Sequence, residues 1–567
     1  MGVQRLSFTM QRVYVGGRLL TFSSYPDFSF RDEWSGLFML DKKLANYIAV
    51  KTRWGWAAPE NALPEKTVVS RNSVTYTHAV NGHNVRVHVV HGSKATKGAA
   101  REWSEIRVEG SQENEMEIGI CGRHVYDDKC ADAQVVNSGG KYVVAGNAKI
   151  FLCPDGSSQQ TLKDPKKRTH IQGCKEFDIL VITVPFREKV RILVEHSPPR
   201  LVPPTNTASA SFHSDSQEWN ELYRRAVKTV EVLTKRYGWY AGLPWFVQYW
   251  GRDSFISLPA LVREGYPSLA KKLLLRFLHK EVDGEIPRLI REDGSPEFGS
   301  VDTNPLFLNA FADYVVTAGD YRLAAENKAE IMETFMWILD KSRWRLPTSN
   351  GKDTWMDTLE TRKYPVEVAA YVIEAARKLA RAGVLPECWY SELRELWAKE
   401  KKKYLIERSA NVLLAAVYNI IPAKEAVEKA REWKLFTEWG VRSWSPLEVE
   451  YDPEGYHTGS AWGLTTAAGL YVALKARDWE TSGALLDALL KRGKWTGYLD
   501  EVWDAHTGAP LGADVQLWTA TMVIRAIDEV IIDRRCVPPG ISKIKRVRWE
   551  RGHMKRVAVT QTTTGAW

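Results

Sequence analysis

The sequence predicts a multidomain chain in which an N-terminal antiparallel β-sandwich precedes an all-α domain of about twelve helices, a number that suits an (α/α)6 toroid of six helical hairpins. Three observations carry that prediction. The chain has 567 residues, more than one hydrophobic core usually serves. Its first 198 residues read as strand after strand without intervening helices. Beyond residue 214, about twelve amphipathic segments alternate with loops of Gly, Pro and aromatic residues.

Within residues 1–198, "VTYTHAVNGHNVRVHVV" (74–90) is a hairpin signal, because Asn81-Gly82 can supply the two positive φ angles of a type I′ turn between β-branched runs. Further strand-like runs are "RVYVGGRLLTF", "KYVVAG", "AKIFLC", "FDILVITVPF" and "KVRILVEH". The hairpin also carries His78, His83, His88 and His91. Their spacing matches no familiar ligand pattern, and the expectation is half-exposed strand histidines with no bound metal. Four of the six cysteines, Cys121, Cys130, Cys153 and Cys174, fall between 121 and 174, where a disulfide is to be expected only of a hyperthermophile's intracellular protein, and no C-x-x-C pair marks a zinc or thioredoxin-like motif.

"SPPRLVPPTNTASASFHSD" (197–215) is rich in Pro, Ser and Thr and reads as a linker over 199–214. Helical spacing starts just after it. Ser214 and Gln217 can form a capping box, and Trp219, Leu222, Tyr223, Ala226, Val230 and Leu233 share one face. Candidate helices cover 215–237, 253–263, 267–281, 304–317, 321–342, 365–382, 389–407, 409–418, 422–433, 458–475, 478–491 and 514–533. These fill a barrel domain of 215–534. Periodicity alone fits a closed toroid and an open two-layer helical array equally well.

Residues 535–567 form a basic C-terminal tail. The net charge is +9, and much of the excess sits in "SKIKRVRWERGHMKR" (542–556), which reads as a solvated segment; no basic stripe points to nucleic acid. No apolar run reaches the roughly 18 residues of a membrane helix, and "MGVQRLSFTMQRVYVGG" lacks the apolar stretch of a secretory signal, so the expected location is the cytoplasm. No Gly-rich phosphate loop, G-x-S-x-G elbow or H-E-x-x-H is present, and no cofactor is implied.

Tryptophan is the compositional signal. The chain has 23, many beside carboxylates and arginines, and flat rings with a polar handle suit ligands that are C–H-rich on the face and hydroxylated at the edge, as sugars are. In "TWMDTLETRKYPVEVAAYV" (354–372), Asp357 follows Trp355 and precedes a helix that Pro365 can start. A carboxyl beside an indole can be desolvated enough to hold a proton near neutral pH. In "GYLDEVWDAHTGAPLGADVQLWTATMV" (497–523), Asp500, Glu501 and Asp504 crowd between Tyr498 and Trp503. Either stretch could be an ordinary loop, but two separated carboxyls on an aromatic surface meet the minimum for glycoside hydrolysis, an acid for the leaving oxygen and a base for water. Arg252-Asp253 and Arg442 add hydrogen-bond partners for hydroxyls.

"AGLPWFVQYWGRDSFISLPAL" (241–261), "TWMDTLETRKYPVEV", "GVRSWSP", "YHTGSAWGL" and "DEVWDAHTGAP" with "ADVQLWTA" follow one another in an order that resembles the glycogen-debranching amylo-α-1,6-glucosidase family, within the glucoamylase-like (α/α)6 barrels. The resemblance spans about 215–534. It implies an inverting hydrolase acting on branched α-glucan, with Asp357 as general acid and Glu501 as general base. It also implies that Trp250, Arg252, Asp253, Trp355, Arg442, His457, Trp462 and Gln516 line the sugar pocket. The family's Tyr-His-Gly-Leu segment has only a weak echo here, "WSGLFMLDKK", and the β-rich first 198 residues leave no place for the transferase barrel of the bifunctional enzymes. Two other readings stay open at this level: an exo-α-glucosidase acting on linear maltodextrin or trehalose, and a carbohydrate-binding protein without turnover.

Overall fold

The computed structural model describes residues 210–560, apart from 245, 361 and 493–495, and the strands between Val13 and His196. Those strands form two antiparallel sheets, one of nine strands and one of eight. Ser73–Val80 and His83–Thr96 pair with Val80 opposite His83, the register that the Asn81-Gly82 hairpin requires. The strand period of two sorts the side chains. Val74, Tyr76, Val85, Val87, Val89, Ile106 and Val108 are all buried, with Tyr76 opposite Val87 and Val87 opposite Val108. His78 and His91 belong to the same parity and are buried with them, a correction to the expectation of half-exposed histidines. His88 is half-exposed, its Nδ1 lying 2.5 Å from Thr75 Oγ1, and the side chain of His83 lies outside the described residues. So do the side chains of Cys121, Cys130, Cys153 and Cys174, while Cys388 and Cys536 are free.

Among the described residues, thirteen helices follow. They are α1 (Gln217–Leu233), α2 (Gly251–Arg263), α3 (Pro267–Leu278), α4 (Thr303–Ala318), α5 (Tyr321–Glu326), α6 (Lys328–Lys341) and α7 (Val366–Arg381). The rest are α8 (Glu387–Tyr404), α9 (Asn411–Val417), α10 (Ala423–Glu432), α11 (Gly463–Ala476), α12 (Trp479–Arg492) and α13 (Leu517–Arg525), which runs on into the π-helical turn Ala526–Ile532. The expected segments reappear with ends shifted by a few residues and with two larger adjustments. The segment 321–342 is broken at Asn327 into α5 and α6, and the helix expected from 458 starts at Gly463 because 455–460 closes into a tight turn.

Closure comes from neighbours. α2 packs on α4, α4 on α7, α7 on α9, α9 on α11, α11 on α13 and α13 back on α2, while α1, α3, α6, α8, α10 and α12 lie outside this ring. The inner helices are apolar nearly all round, as helices enclosed by others must be: every residue of α9 is buried, as are Gly463 to Leu474 of α11. The outer helices show one buried stripe; α1 buries Trp219, Leu222, Tyr223, Ala226, Val230 and Leu233, the face expected from spacing. Its cap differs from the expectation. Ser216, not Ser214, accepts from Trp219 N, and Ser214 ends a strand instead.

That strand corrects the reading of both the linker and the tail. Ser211–Ser214 pairs with Lys543–Glu550, which turns into His553–Thr560, so the basic tail supplies two strands of a three-stranded sheet rather than a solvated segment. Its anchor is Arg546, fully buried, with Nε 2.9 Å from Asp528 Oδ1 and Nη2 bonded to Glu264. Nη1 donates to Tyr223 OH at 2.8 Å. Among the described residues no helix is long and apolar enough to cross a membrane.

A buried ion pair that loses one member leaves an uncompensated charge, at a cost of about 3–5 kcal/mol. Arg546→Met should therefore destabilise the barrel by about that amount in urea unfolding, because Glu264 and Asp528 lose the cation between them and Arg548, 3.5 Å from Asp528, reaches only one of the two. Lys555→Met, at a half-exposed pair, should change it by less than about 1 kcal/mol.

Candidate active site

The ring brings the N-terminal ends of all six inner helices to one face, and the sequence-predicted residues stand there. Trp250 precedes the first turn of α2, which holds Arg252 and Asp253. Trp355 and Asp357 lie in the loop before α7, Arg442, His457 and Trp462 before α11, and Glu501 and Gln516 before α13. Short two-stranded pairings fix the loops. Tyr249–Trp250 pairs with Leu289–Ile290, Gly242–Leu243 with Val515–Gln516, and Ala461–Trp462 with Val502–Trp503. Gly242 lets the two strands close up, since a Cβ there would sit 2.9 Å from Val515 O and would also push aside the Gln516 side chain.

Arg252 is 9% exposed and ties one side of the site together. Its Nε donates to Asp302 Oδ2 at 2.7 Å, its Nη2 lies 3.4 Å from Ser300 Oγ, and its Nη1 lies 3.9 Å from Asp357 Oδ2. Asp302 stands at the N-cap of α4 yet makes no cap hydrogen bond, because its carboxylate is turned to Arg252. Asp357 keeps 44% of its side-chain surface exposed. Desolvation by the surrounding protein still raises its pKa, with the Asp302 charge adding and Arg252 opposing.

Asp253 is buried, and its Oδ1 accepts from Gln516 Nε2 at 2.9 Å. Burial, with the nearby Glu501 charge and against Arg252, pushes its pKa up to about 8. Glu501 is 2% exposed. Its Oε1 accepts from Tyr456 OH and its Oε2 from Ala513 N at 2.7 Å, so both oxygens are oriented. A Cβ at Gly512 would come within 2.3 Å of Glu501 Oε2, so the backbone has to pass without a side chain there.

The three crowded acids separate in the fold. Asp500 turns to Arg492 Nη2 at 2.6 Å, and Asp504 accepts from His506 N and Thr507 N at 2.6 and 3.0 Å within a turn. Glu501 alone joins the group around Asp253.

The floor is aromatic. Trp355 meets His457, Trp462 and Trp518 edge-on, with ring centres 5.4, 5.2 and 6.4 Å away. Trp355 Nε1 donates to Asn411 Oδ1 at 2.7 Å, and Trp462 Nε1 to Tyr456 O at 2.7 Å. Arg442 is half-buried and bonds Tyr451 OH at 3.1 Å through Nη1; burial lowers its pKa. The described contacts of Arg442 and Trp250 do not reach Asp357 or Glu501.

Asp302, Tyr456, Asn411 and Thr358 are site residues that pattern reading missed. Tyr456 sits within a motif noticed for its neighbour, and Asp302 carries the ordinary signature of a helix cap. Nothing in the letters distinguishes a capping Asp from one recruited by an arginine 50 positions earlier.

The closed ring of alternating inner and outer helices defines the class, an (α/α)6 barrel. A bacterial glucoamylase solved in complex with acarbose shares the fold: 10% identity, TM-score 0.61, with 94% of this chain and 96% of that one covered. A GH63 mannosylglycerate hydrolase from Thermus thermophilus, solved with glucose, overlaps at 14% identity over 53% of this chain and 99% of its own; its TM-score of 0.45 adds nothing to the fold assignment. Comparison with curated protein sequences gives no match. Residues 223–374 match the amylo-alpha-1,6-glucosidase family, so the resemblance read from the motifs holds over the segment that contains W-G-R-D and T-W-M-D. Fold and family match together support a glycoside hydrolase.

Two titrations check the electrostatics. Followed by carboxyl-detected NMR, Asp357 should titrate above the ordinary aspartate range, and higher still in Arg252→Gln, since the substitution removes the cation that favours the ionised form. Asp253 has a folded pKa above its unfolded one. Between about pH 4 and about 8 the folded chain therefore holds a proton that the unfolded chain has released, and stability falls as pH rises through that window. Asp253→Asn keeps the acceptor for Gln516 and should raise the melting temperature relative to wild type at pH 9 more than at pH 4.

Proposed function

We propose that the protein is an inverting glycoside hydrolase that releases glucose from α-1,6-linked stubs of glycogen-like α-glucan, with Asp357 as general acid and Glu501 as general base. The observation that carries the reading is the contrast between the two carboxyls. Asp357 is open to a ligand and disposed to hold a proton, as a group that protonates a leaving oxygen must be. Glu501 is enclosed, with both oxygens held by donors, as a carboxylate that must orient one water requires.

In this reading the acid gives its proton to the glycosidic oxygen as the bond to the anomeric carbon breaks. Glu501 takes a proton from the water that attacks the opposite face, and the product is β-glucose. Arg252, Asp253 and Gln516 hold hydroxyls of the terminal sugar, and Trp250, Trp355, Arg442, His457 and Trp462 shape its pocket. The α-1,6 linkage draws its support from the family match over 223–374. The barrel of 215–534 carries the chemistry, the two N-terminal sheets form a β-sandwich domain over 1–198, and the protein works in the cytoplasm on α-glucan oligosaccharide or polysaccharide.

The test is early-time NMR of glucose released from a dextrin bearing single α-1,6-linked glucose stubs, with maltotriose and trehalose alongside. β-Glucose from the stubbed dextrin is expected. Asp357→Asn and Glu501→Gln should each cut turnover by about two orders of magnitude or more, with sugar binding retained in Glu501→Gln. Release of α-glucose overturns inversion, preferential release from maltotriose or trehalose overturns the linkage, and near-normal turnover in folded Glu501→Gln overturns the assignment of the base.

A further inference from the structure

Two consecutive residues, Tyr456 and His457, reach the proposed base and the residue next to the proposed acid. Tyr456 OH donates to Glu501 Oε1. His457 Nδ1 lies 2.8 Å from Thr358 Oγ1 and 3.4 Å from Thr358 N, and Thr358 is the residue after Asp357. A backbone N–H can only donate, so Nδ1 is the acceptor, and the ring proton is assigned to Nε2, which is buried and has no hydrogen-bond partner among the described residues.

The rest of the geometry makes this dipeptide rigid. The His457 ring is 1% exposed. It stacks on Trp462 at 5.0 Å and 10°, and Trp355 meets it edge-on at 5.4 Å and 87°. The turn that carries it is closed by Ser460 N to Gly455 O, and Ser460 Oγ and Trp462 Nε1 both donate to Tyr456 O. Burial, with Arg252 and Arg362 nearby, holds the imidazole well below its ordinary pKa, so its lone pair stays available. The acid's own turn is far less enclosed. Asp357 and Thr358 are exposed, and the turn is otherwise closed locally, by Leu359 N to Met356 O and Lys352 N to Leu359 O.

We propose that Tyr456–His457 is a rigid spacer that sets the distance between the two catalytic carboxyls, with His457 a positioning residue that aims Asp357 through Thr358. Its catalytic consequence rests on the glycosidase reading; its structural content does not. An inverting reaction needs room for one water between base and sugar, so a drift of about 1 Å in the acid's turn costs turnover while leaving the sugar's contacts in place.

Substitutions at both ends of the contact test it. His457→Phe keeps a stacking ring and removes the acceptor, and His457→Asn places an oxygen near the position of Nδ1. Thr358→Val removes the hydroxyl at an exposed site where folding is not at stake, and Thr358→Ser restores it. We expect His457→Phe and Thr358→Val each to lower kcat about tenfold with KM within about twofold, His457→Asn and Thr358→Ser to recover most of the turnover, and the double variant to be no worse than the worse single. His457→Asn as impaired as His457→Phe, a loss confined to KM, or additive losses would overturn the proposal. Hydrogen exchange over 354–362 gives a readout that needs no activity: it should quicken in His457→Phe and Thr358→Val but not in His457→Asn, and unchanged exchange in all three overturns the positioning role. If wild type releases no glucose, the glycosidase reading falls alone, because exchange still decides whether His457 holds the turn.

Discussion

Everything at the site depends on ring closure. Inner and outer helices alternate along the chain, so each hairpin is antiparallel and the six inner helices run the same way. Six N-termini then meet at one end, with their unpaired N–H groups and the positive ends of their dipoles. That end tolerates a concentration of carboxylates, and Asp253, Asp302, Asp357 and Glu501 gather there. The other end has the opposite problem. Six C-termini converge on a cavity of about 320 Å³, and Arg263, Lys378 and Arg525 supply cations to it. Lys378 pairs with Asp313 at 2.7 Å and Arg525 with Glu529 at 2.8 Å, so charge is balanced where the helices end.

The loop that bears Asp357 shows how an irregular segment is made definite. Arg362, 4% exposed, donates to Glu367, to Glu407 at 2.8 Å and to Thr354 Oγ1 at 3.1 Å. Glu407 in turn accepts from Ser409 and Asn411, and Asn411 accepts from Trp355. A buried network of this kind admits few alternative arrangements, because each broken bond leaves a desolvated charge or polar group without its partner. The indole beside the acid is thus held from below by residues contributed by α7, α9 and the loop between α8 and α9. The surface of the same loop stays open for a ligand.

Much of this was legible in the letters. Helical spacing located the helices of the barrel, and the faces it marked on α1 are the faces that are buried. Hairpin chemistry gave the Val80–His83 register. The motifs gathered residues that now stand at one end of one barrel, although they lie up to 266 positions apart, from Trp250 to Gln516. What misled was charge without context. "SKIKRVRWERGHMKR" has the composition of a solvated run, but strand alternation sends Ile544, Arg546 and Arg548 inward, where Asp528 and Glu264 wait. His78 and His91 looked half-exposed for the same reason: a polar letter does not say which side of a sheet it faces.

By itself, then, the sequence determined the kinds and order of the elements, because hydrophobic periodicity and turn chemistry are local properties. It also determined which residue types are available for sugar chemistry. Only the tertiary structure decided that the helical array closes, since closure is a contact between α13 and α2, more than 250 residues apart. Only the tertiary structure separated Glu501 from Asp500 and Asp504, because the direction of a carboxylate follows from the donor that reaches it. Those donors, Tyr456 and Ala513 for one and Arg492 for another, are set by packing rather than by spacing.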